Sequence, residues 1–218
     1  MLNFFLALGI SGVVSYLLGS VNFAIIITKL FTKQDIRDFG SGNAGMTNVL
    51  RTVNKNAAAL TLVGDFLKGA ISVFFSRWLF QALFVGTGVL SDFDGAYIGL
   101  IFAMLGHLFP LYHQFRGGKG ISVCGGGILV TDWRVFLLIL LVFLIFTLTT
   151  KYVSLGSILA ATGFTVFTFL LGLLVDKDPH FLRNTLLALI TTVFTIYKHK
   201  ANIKRLLSGN ENKIGSKK

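Results

Sequence analysis

The sequence predicts an all-α integral membrane protein with seven transmembrane helices, its N-terminus outside and its C-terminus cytoplasmic. Three observations carry that expectation. Of the 218 residues, 54% are hydrophobic and only 13% are charged, whereas a soluble domain carries roughly 25% charge. Mean hydropathy is +0.76, too apolar for a globule of this size to stay dissolved. Apolar runs recur along nearly the whole chain, and at ~20 residues per span the length holds six or seven helices with short loops and no soluble domain. The expectation is one domain over 1–218, closing in a basic cytoplasmic tail over 198–218.

The elements follow in order. The first run, Phe4–Thr28, has no Lys or Arg before Lys29 and is too long for a signal-peptide core, so it reads as a retained first helix. Ala57–Phe80 carries Asp65 and Lys68 inside it, which must face protein or water there, most simply pairing with each other. Gly95–Tyr112 places His107 late in the third helix, before Phe109-Pro110. Ile121–Thr131 has eleven residues and includes Gly125-Gly126-Gly127; a run that short, taken alone, reads as re-entrant or interfacial. Trp133–Thr150, Val153–Val175 and Phe181–Tyr197 complete the set. Only Pro110 and Pro179 are present to interrupt helices, and the lone Cys124 has neither a disulfide partner nor metal-site spacing.

Charge decides how many runs cross. The formal net charge is +11, which in a soluble protein would suggest nucleic acid but in a membrane protein reports topology and attraction to anionic lipids or substrates. Seven crossings put fifteen Lys and Arg on the inner side, seven of them in the tail from Lys198 to Lys218. Four are left outside: Arg77, Arg134, Lys177 and Arg183. Were the fourth run not to cross, Arg51 and Lys119 would face opposite to the tail and the bias would weaken.

The same topology gathers the polar, glycine-rich segments at the cytoplasmic ends of helices. Gly40-Ser41-Gly42-Asn43-Ala44-Gly45-Met46-Thr47-Asn48, closed by Arg51, is the most informative. Its glycines allow tight turns that expose N–H groups, its Ser, Asn and Thr side chains add neutral donors, and Arg51 supplies a planar fork suited to phosphate. Arg116-Gly117-Gly118-Lys119-Gly120 resembles a phosphate loop but lacks the Walker spacing G-x-x-x-x-G-K-[ST], in which Ser or Thr directly follows the Lys. A Lys between glycines at a helix start can still hold phosphate. Ser154 and Ser157 share a helix face after Lys151, and His199 shares one with Asn202. The chain has no His followed five residues later by Asp, no H-E-x-x-H and no G-x-S-x-G, so metal hydrolysis and serine-nucleophile chemistry lose support. An anion transporter would need polar residues traversing the membrane, and only Asp65 and Lys68 lie deep.

Taken together, Gly40–Arg51, Asp65–Gly69, Gly106-His107 through Pro110, Phe115–Gly120, Tyr152–Ser157 and His199–Lys213 resemble, in order, the bacterial acyl-phosphate:glycerol-3-phosphate acyltransferase family (PlsY type). The resemblance implies a seven-helix bacterial plasma-membrane enzyme, without cofactor or metal, that moves an acyl group from acyl phosphate to the 1-hydroxyl of glycerol 3-phosphate. The products would be lysophosphatidate and inorganic phosphate, in the first acylation of phospholipid biosynthesis. It implies catalytic roles for Ser41, Lys119, His199 and Asn202. Gly42, Asn43, Gly45, Asn48, Arg51, His107, Gly117, Gly118, Ser154 and Ser157 would bind substrate. Membrane lipids and the enzyme that makes the acyl phosphate are the implied partners; nucleic acid is not. The sequence departs from the family pattern at Met46, where a small residue is usual, and at Lys151 and Lys198, where Arg is common. An acyl phosphate is a mixed anhydride with phosphate as its leaving group, so no covalent nucleophile is required. Two approaching phosphates do require cations and aligned donors. The hydroxyl proton has two candidate acceptors, His199 and a donor phosphate oxygen.

Overall fold

The structure is a computed structural model and describes residues 2–84 and 93–214. Lys217 and Lys218, counted above on the inner side, lie outside the described residues. Among the described residues every regular element is helical, and they form two compact units, Met1–Thr131 and Asp132–Lys218.

In the first unit the leading apolar run is two helices, α1 (Leu2–Ser20) and α2 (Phe23–Thr32). The expected single helix breaks because Asn22, in extended backbone, turns its side-chain oxygen back to accept the N–H of Ile25 at 3.2 Å and caps α2. The break leaves the Val21 carbonyl outside both helices, and Lys68 Nζ donates to it at 2.5 Å. Non-helical backbone deep in a membrane protein persists where protein satisfies it in this way. The chain continues through α3 (Met46–Thr52), α4 (Lys55–Phe84), α5 (Ala96–Leu108) and α6 (Ile121–Thr131).

The triple glycine of α6 is helical and lets that helix lie directly against α4, where Phe66 O meets Gly126 and Val123 O meets Gly69. Arg77 on α4 pairs with Asp94 and donates to the Val130 carbonyl and, at 2.8 Å, to that of Thr131. These are last-turn carbonyls with no partner inside α6, so Arg77 caps the short helix from its neighbour.

The second unit contains α7 (Trp133–Thr150), α8 (Val153–Leu170, extended by a π-turn to Val175), α9 (Phe181–Lys198) and α10 (Lys200–Leu207). Arg134 bridges Asp132 and Asp176, tying the start of α7 to the end of α8. Thr192 joins α9 to α8 through Ala161 O at 2.7 Å and Thr165 Oγ1 at 2.8 Å. The segment expected to be a basic tail folds back on its own unit, and the Ile214 N–H donates to Lys151 O at 2.9 Å.

Among the described residues, five helical stretches are long and apolar enough to cross a membrane: Leu2–Thr32, Lys55–Leu83, Ala96–His113, Trp133–Thr150 and Val153–Val175. The seven-helix expectation needs α6 and α9 as well. The eleven residues of α6 rise about 16 Å against a hydrocarbon core of about 30 Å, and α9, although 18 residues long, is less apolar than those five stretches.

Candidate active site

The first polar loop is built around one side chain. Asn48, on α3, is 2% exposed. Its amide nitrogen donates to Ile36 O at 3.2 Å and Phe39 O at 2.9 Å, and its oxygen accepts Ser41 N–H at 3.0 Å. Gly40 allows this bracket because its φ of 55° is left-handed and Asn48 Oδ1 lies where a β-carbon would be. The expected cradle of N–H groups is reduced by these same turns. Ser41 N–H goes to Asn48, Gly42 N–H to Phe39 O and Gly45 N–H to Asn43 O. What the loop offers outward is therefore side chains: Ser41 and Arg51 are exposed, and Asn43 and Thr47 half-buried. Asn48 spends both amide protons on the loop itself.

The second loop stands on His107, which is 3% exposed. The Gly118 N–H donates to His107 O at 3.1 Å. Where Gly118 would carry a β-carbon lie His107 Nε2 and Ala44 O, so only glycine fits. Gly117 likewise lies against His107 O. Because Ala44 belongs to the first loop, this contact brings the two loops side by side, with Lys119 next in sequence and half-buried. Sequence reasoning missed a further brace. Arg37 forks onto Asp35 and donates to His113 O at 2.9 Å, joining the approach to the first loop with the approach to the second. The side-chain bond from Arg37, with its charge, holds the Asp35 carboxyl below the usual carboxylate value. The Asp-x-Arg spacing at Asp35 and Arg37, immediately before the loop, was the available signal.

In the second unit His199 sits at the junction of α9 and α10, 2% exposed, with Nδ1 2.8 Å from Thr195 O. A carbonyl only accepts, so Nδ1 carries the proton and the lone pair of the neutral ring is on Nε2. Asn202, one turn on, donates from Nδ2 to Glu211 Oε1 at 3.0 Å, while Arg205 holds Glu211 Oε2 at 2.8 Å. Glu211, the chain's one glutamate, was absent from the expected site, although a single acid in a basic tail was a visible oddity. Ser154 and Ser157 on α8 differ. Ser157 Oγ bonds back to Val153 O at 2.8 Å, whereas Ser154 Oγ is buried with no hydrogen-bond partner among the described residues. Lys213 lies over the Tyr152 ring at 5.4 Å, so the segment after α10 returns to the start of α8.

Helices of this length and composition, with their breaks satisfied internally, define a multi-pass membrane protein. The family model described as glycerol-3-phosphate acyltransferase matches residues 9–209. A glycerol-3-phosphate acyltransferase of Clostridioides difficile (strain 630) is 42% identical over 96% of both chains. One of Bartonella quintana (strain Toulouse) is 38% identical over 93% of this chain and 89% of its own. The crystal structure of PlsY (YgiH), an integral membrane glycerol 3-phosphate acyltransferase, in its glycerol 3-phosphate form, matches with a TM-score of 0.80 at 33% identity, covering 95% of this chain and 96% of that one. Its lysophosphatidic acid form matches with a TM-score of 0.77 at 32% identity over 95% of both. The chain belongs to the glycerol-3-phosphate acyltransferase family, and is an enzyme.

Proposed function

We propose that this enzyme takes its acyl group from acyl phosphate and delivers it to the 1-hydroxyl of glycerol 3-phosphate, releasing lysophosphatidate and inorganic phosphate. The observation that carries the reading is the seating of the Lys119 loop against the Ser41–Arg51 loop through Gly118 and Ala44. Two cations and several neutral donors are thereby concentrated where anionic substrates would otherwise repel each other. In this reading Ser41, Arg51 and Lys119, with Gly42, Gly117 and Gly118 shaping their loops, hold the glycerol phosphate. Asn43 and Gly45 are assigned to the acyl phosphate, and so is Ser154, whose hydroxyl has no hydrogen-bond partner among the described residues. Asn48 acts by shaping its loop, Ser157 bonds back to Val153 O on its own helix, and His199 and Asn202 are assigned to the glycerol moiety.

The substrate oxygen attacks the acyl carbonyl carbon, the bond from that carbon to the phosphate oxygen breaks, and phosphate leaves. The proton of the attacking hydroxyl passes to His199 Nε2 or to a phosphate oxygen. Holding the two reactants in line supplies much of the acceleration, and no covalent intermediate is needed.

The chain is placed in the bacterial plasma membrane with seven crossings, the N-terminus outside, the C-terminus inside, and chemistry at the cytoplasmic face. Support comes from the fifteen-to-four distribution of Lys and Arg. Reporters fused before α1 and after Lys213 test it, and finding both on one side overturns the odd crossing number. For the donor, purified protein is given labelled glycerol 3-phosphate with acyl phosphate, acyl-coenzyme A or acyl-carrier protein in separate reactions. Lysophosphatidate forms with acyl phosphate alone, and comparable rates from a thioester refute the assignment.

A further inference from the structure

The buried polar cluster behind the second loop includes His107, implied above as a substrate-binding residue, and no step of the proposed chemistry uses its Asp65 or Lys68. Asp65 and Lys68 lie one turn apart on α4, their side chains 2% and 5% exposed and 2.8 Å from each other. The Lys68 ammonium pairs with Asp65 Oδ1 at 2.8 Å as an ion pair and has two hydrogen-bonding neighbours, Val21 O at 2.5 Å and His107 Nδ1 at 3.0 Å, while Nδ1 stands 3.6 Å from Asp65 Oδ1, too far for a hydrogen bond. An ammonium only donates, so Nδ1 accepts, and the ring proton of His107 belongs on Nε2. That nitrogen is the one against the Cα of Gly118, beside Ala44 O. The His107 carbonyl meanwhile takes the Gly118 N–H at 3.1 Å. Attraction within a buried ion pair is largely offset by desolvation, and an apolar pair of similar volume would join the helices as well. What an apolar pair would lack is a means of fixing one imidazole, in one tautomer, under a glycine loop.

We infer that Asp65, Lys68 and His107 form a positioning device: the ion pair fixes the His107 ring, and His107, through Gly118, fixes the loop that aims Lys119. This rests on the reading of Lys119 as a phosphate-holding residue. A merely structural role would lower the fraction of active enzyme and leave KM alone. A positioning role raises KM for glycerol 3-phosphate, because the loosened loop presents Lys119 badly in molecules that are otherwise folded.

The test uses the full-length protein with both charges removed together, Asp65→Asn/Lys68→Met, since a single replacement strands a buried ion and threatens folding. His107→Phe is the second variant; it keeps a flat ring and all the α4 charges. Each is measured for melting temperature, for KM and kcat, and for the rate of tryptic cleavage after Arg116 and Lys119, which needs no turnover. The expected result is near-wild-type melting, a rise of about tenfold in KM for glycerol 3-phosphate, and faster cleavage in the loop. Wild-type KM and wild-type cleavage in either folded variant overturn the inference. If the wild-type enzyme itself gives no turnover, the functional reading fails, and the cleavage comparison still decides whether the cluster orders the loop.

Discussion

Gly40–Arg51 and Arg116–Gly120 are both glycine-rich and both carry a cation, yet they are held by different means. The first leaves and rejoins helical structure within a few residues, so one neutral side chain, Asn48, reaches the Ser41 N–H and the Ile36 and Phe39 carbonyls. The second runs from the end of α5 into α6 past a single 3-10 turn, Leu111–His113, whose His113 carbonyl is itself held from outside by Arg37. Its support comes from the carbonyl and ring of His107, and behind the ring from charges on α4. A loop closed on itself can be written locally in sequence, whereas a loop between two spans borrows its rigidity from the bundle.

The largest expected effects come from the cations themselves. Lys119→Ala and Arg51→Ala each remove a charge-assisted phosphate contact, which lowers the initial rate by about 10²–10³. Melting temperatures taken alongside separate a loss of chemistry from a loss of fold. If only one variant loses activity, the comparison sharpens: that loop binds phosphate and the other merely anchors the topology. Near-normal rates in both variants reduce the two residues to anchors.

Next in size is the bracket. Asn48→Asp replaces two donated protons with a carboxylate facing the carbonyls of Ile36 and Phe39. Asn48→Ala instead leaves those groups unsatisfied. Losing the bonds costs about 3 kcal/mol in the Ala variant, and the Asp variant suffers more because it adds repulsion. Thermal melting in detergent orders them as wild type, then Ala, then Asp. An Asp variant as stable as wild type would mean that the loop is held from elsewhere, and the contrast between the loops would collapse.

How much of this was legible depends on the range of the interaction. The apolar runs marked six of the seven long segments closely, and Ile121–Thr131 matched to the residue, because hydropathy is summed over many side chains. The break at Val21-Asn22 was not legible. It rests on one Asn in an apolar run and on a Lys donating from another helix. The Asp65–Lys68 pair could be read from spacing alone, but the arrival of His107 from α5 could not. The glycine loops were visible as composition, while the consumption of their N–H groups by the loop's own turns was not. The tail misled for an electrostatic reason: a run of basic residues reads as solvated, yet Glu211 gathers Asn202 and Arg205 and brings the chain back to α8.

The smallest expected effect probes the brace that joins the two loops' approaches. Asp35 Oδ1 accepts the Arg37 N–H at 2.9 Å while the carboxylate pairs with the guanidinium. Asp35→Asn keeps an oxygen for the turn and removes only the charge. The pair is partly exposed, with side-chain accessibilities of 22% for Arg37 and 29% for Asp35, so the charge is worth about 0.5–1 kcal/mol and a melting difference of about 2 °C. The hydrogen bond and charge of Arg37 depress the Asp35 carboxyl in the folded state. The stabilisation is therefore present above the unfolded-state value of about 3.9 and is lost as pH falls through the lower, folded-state value. Melting curves of wild type and Asp35→Asn, separate at neutral pH, should converge as the pH is taken below about 4. A difference that persists unchanged into acid would assign the effect to the turn's hydrogen bond. The two loops would then be joined by geometry, with the ion pair contributing nothing.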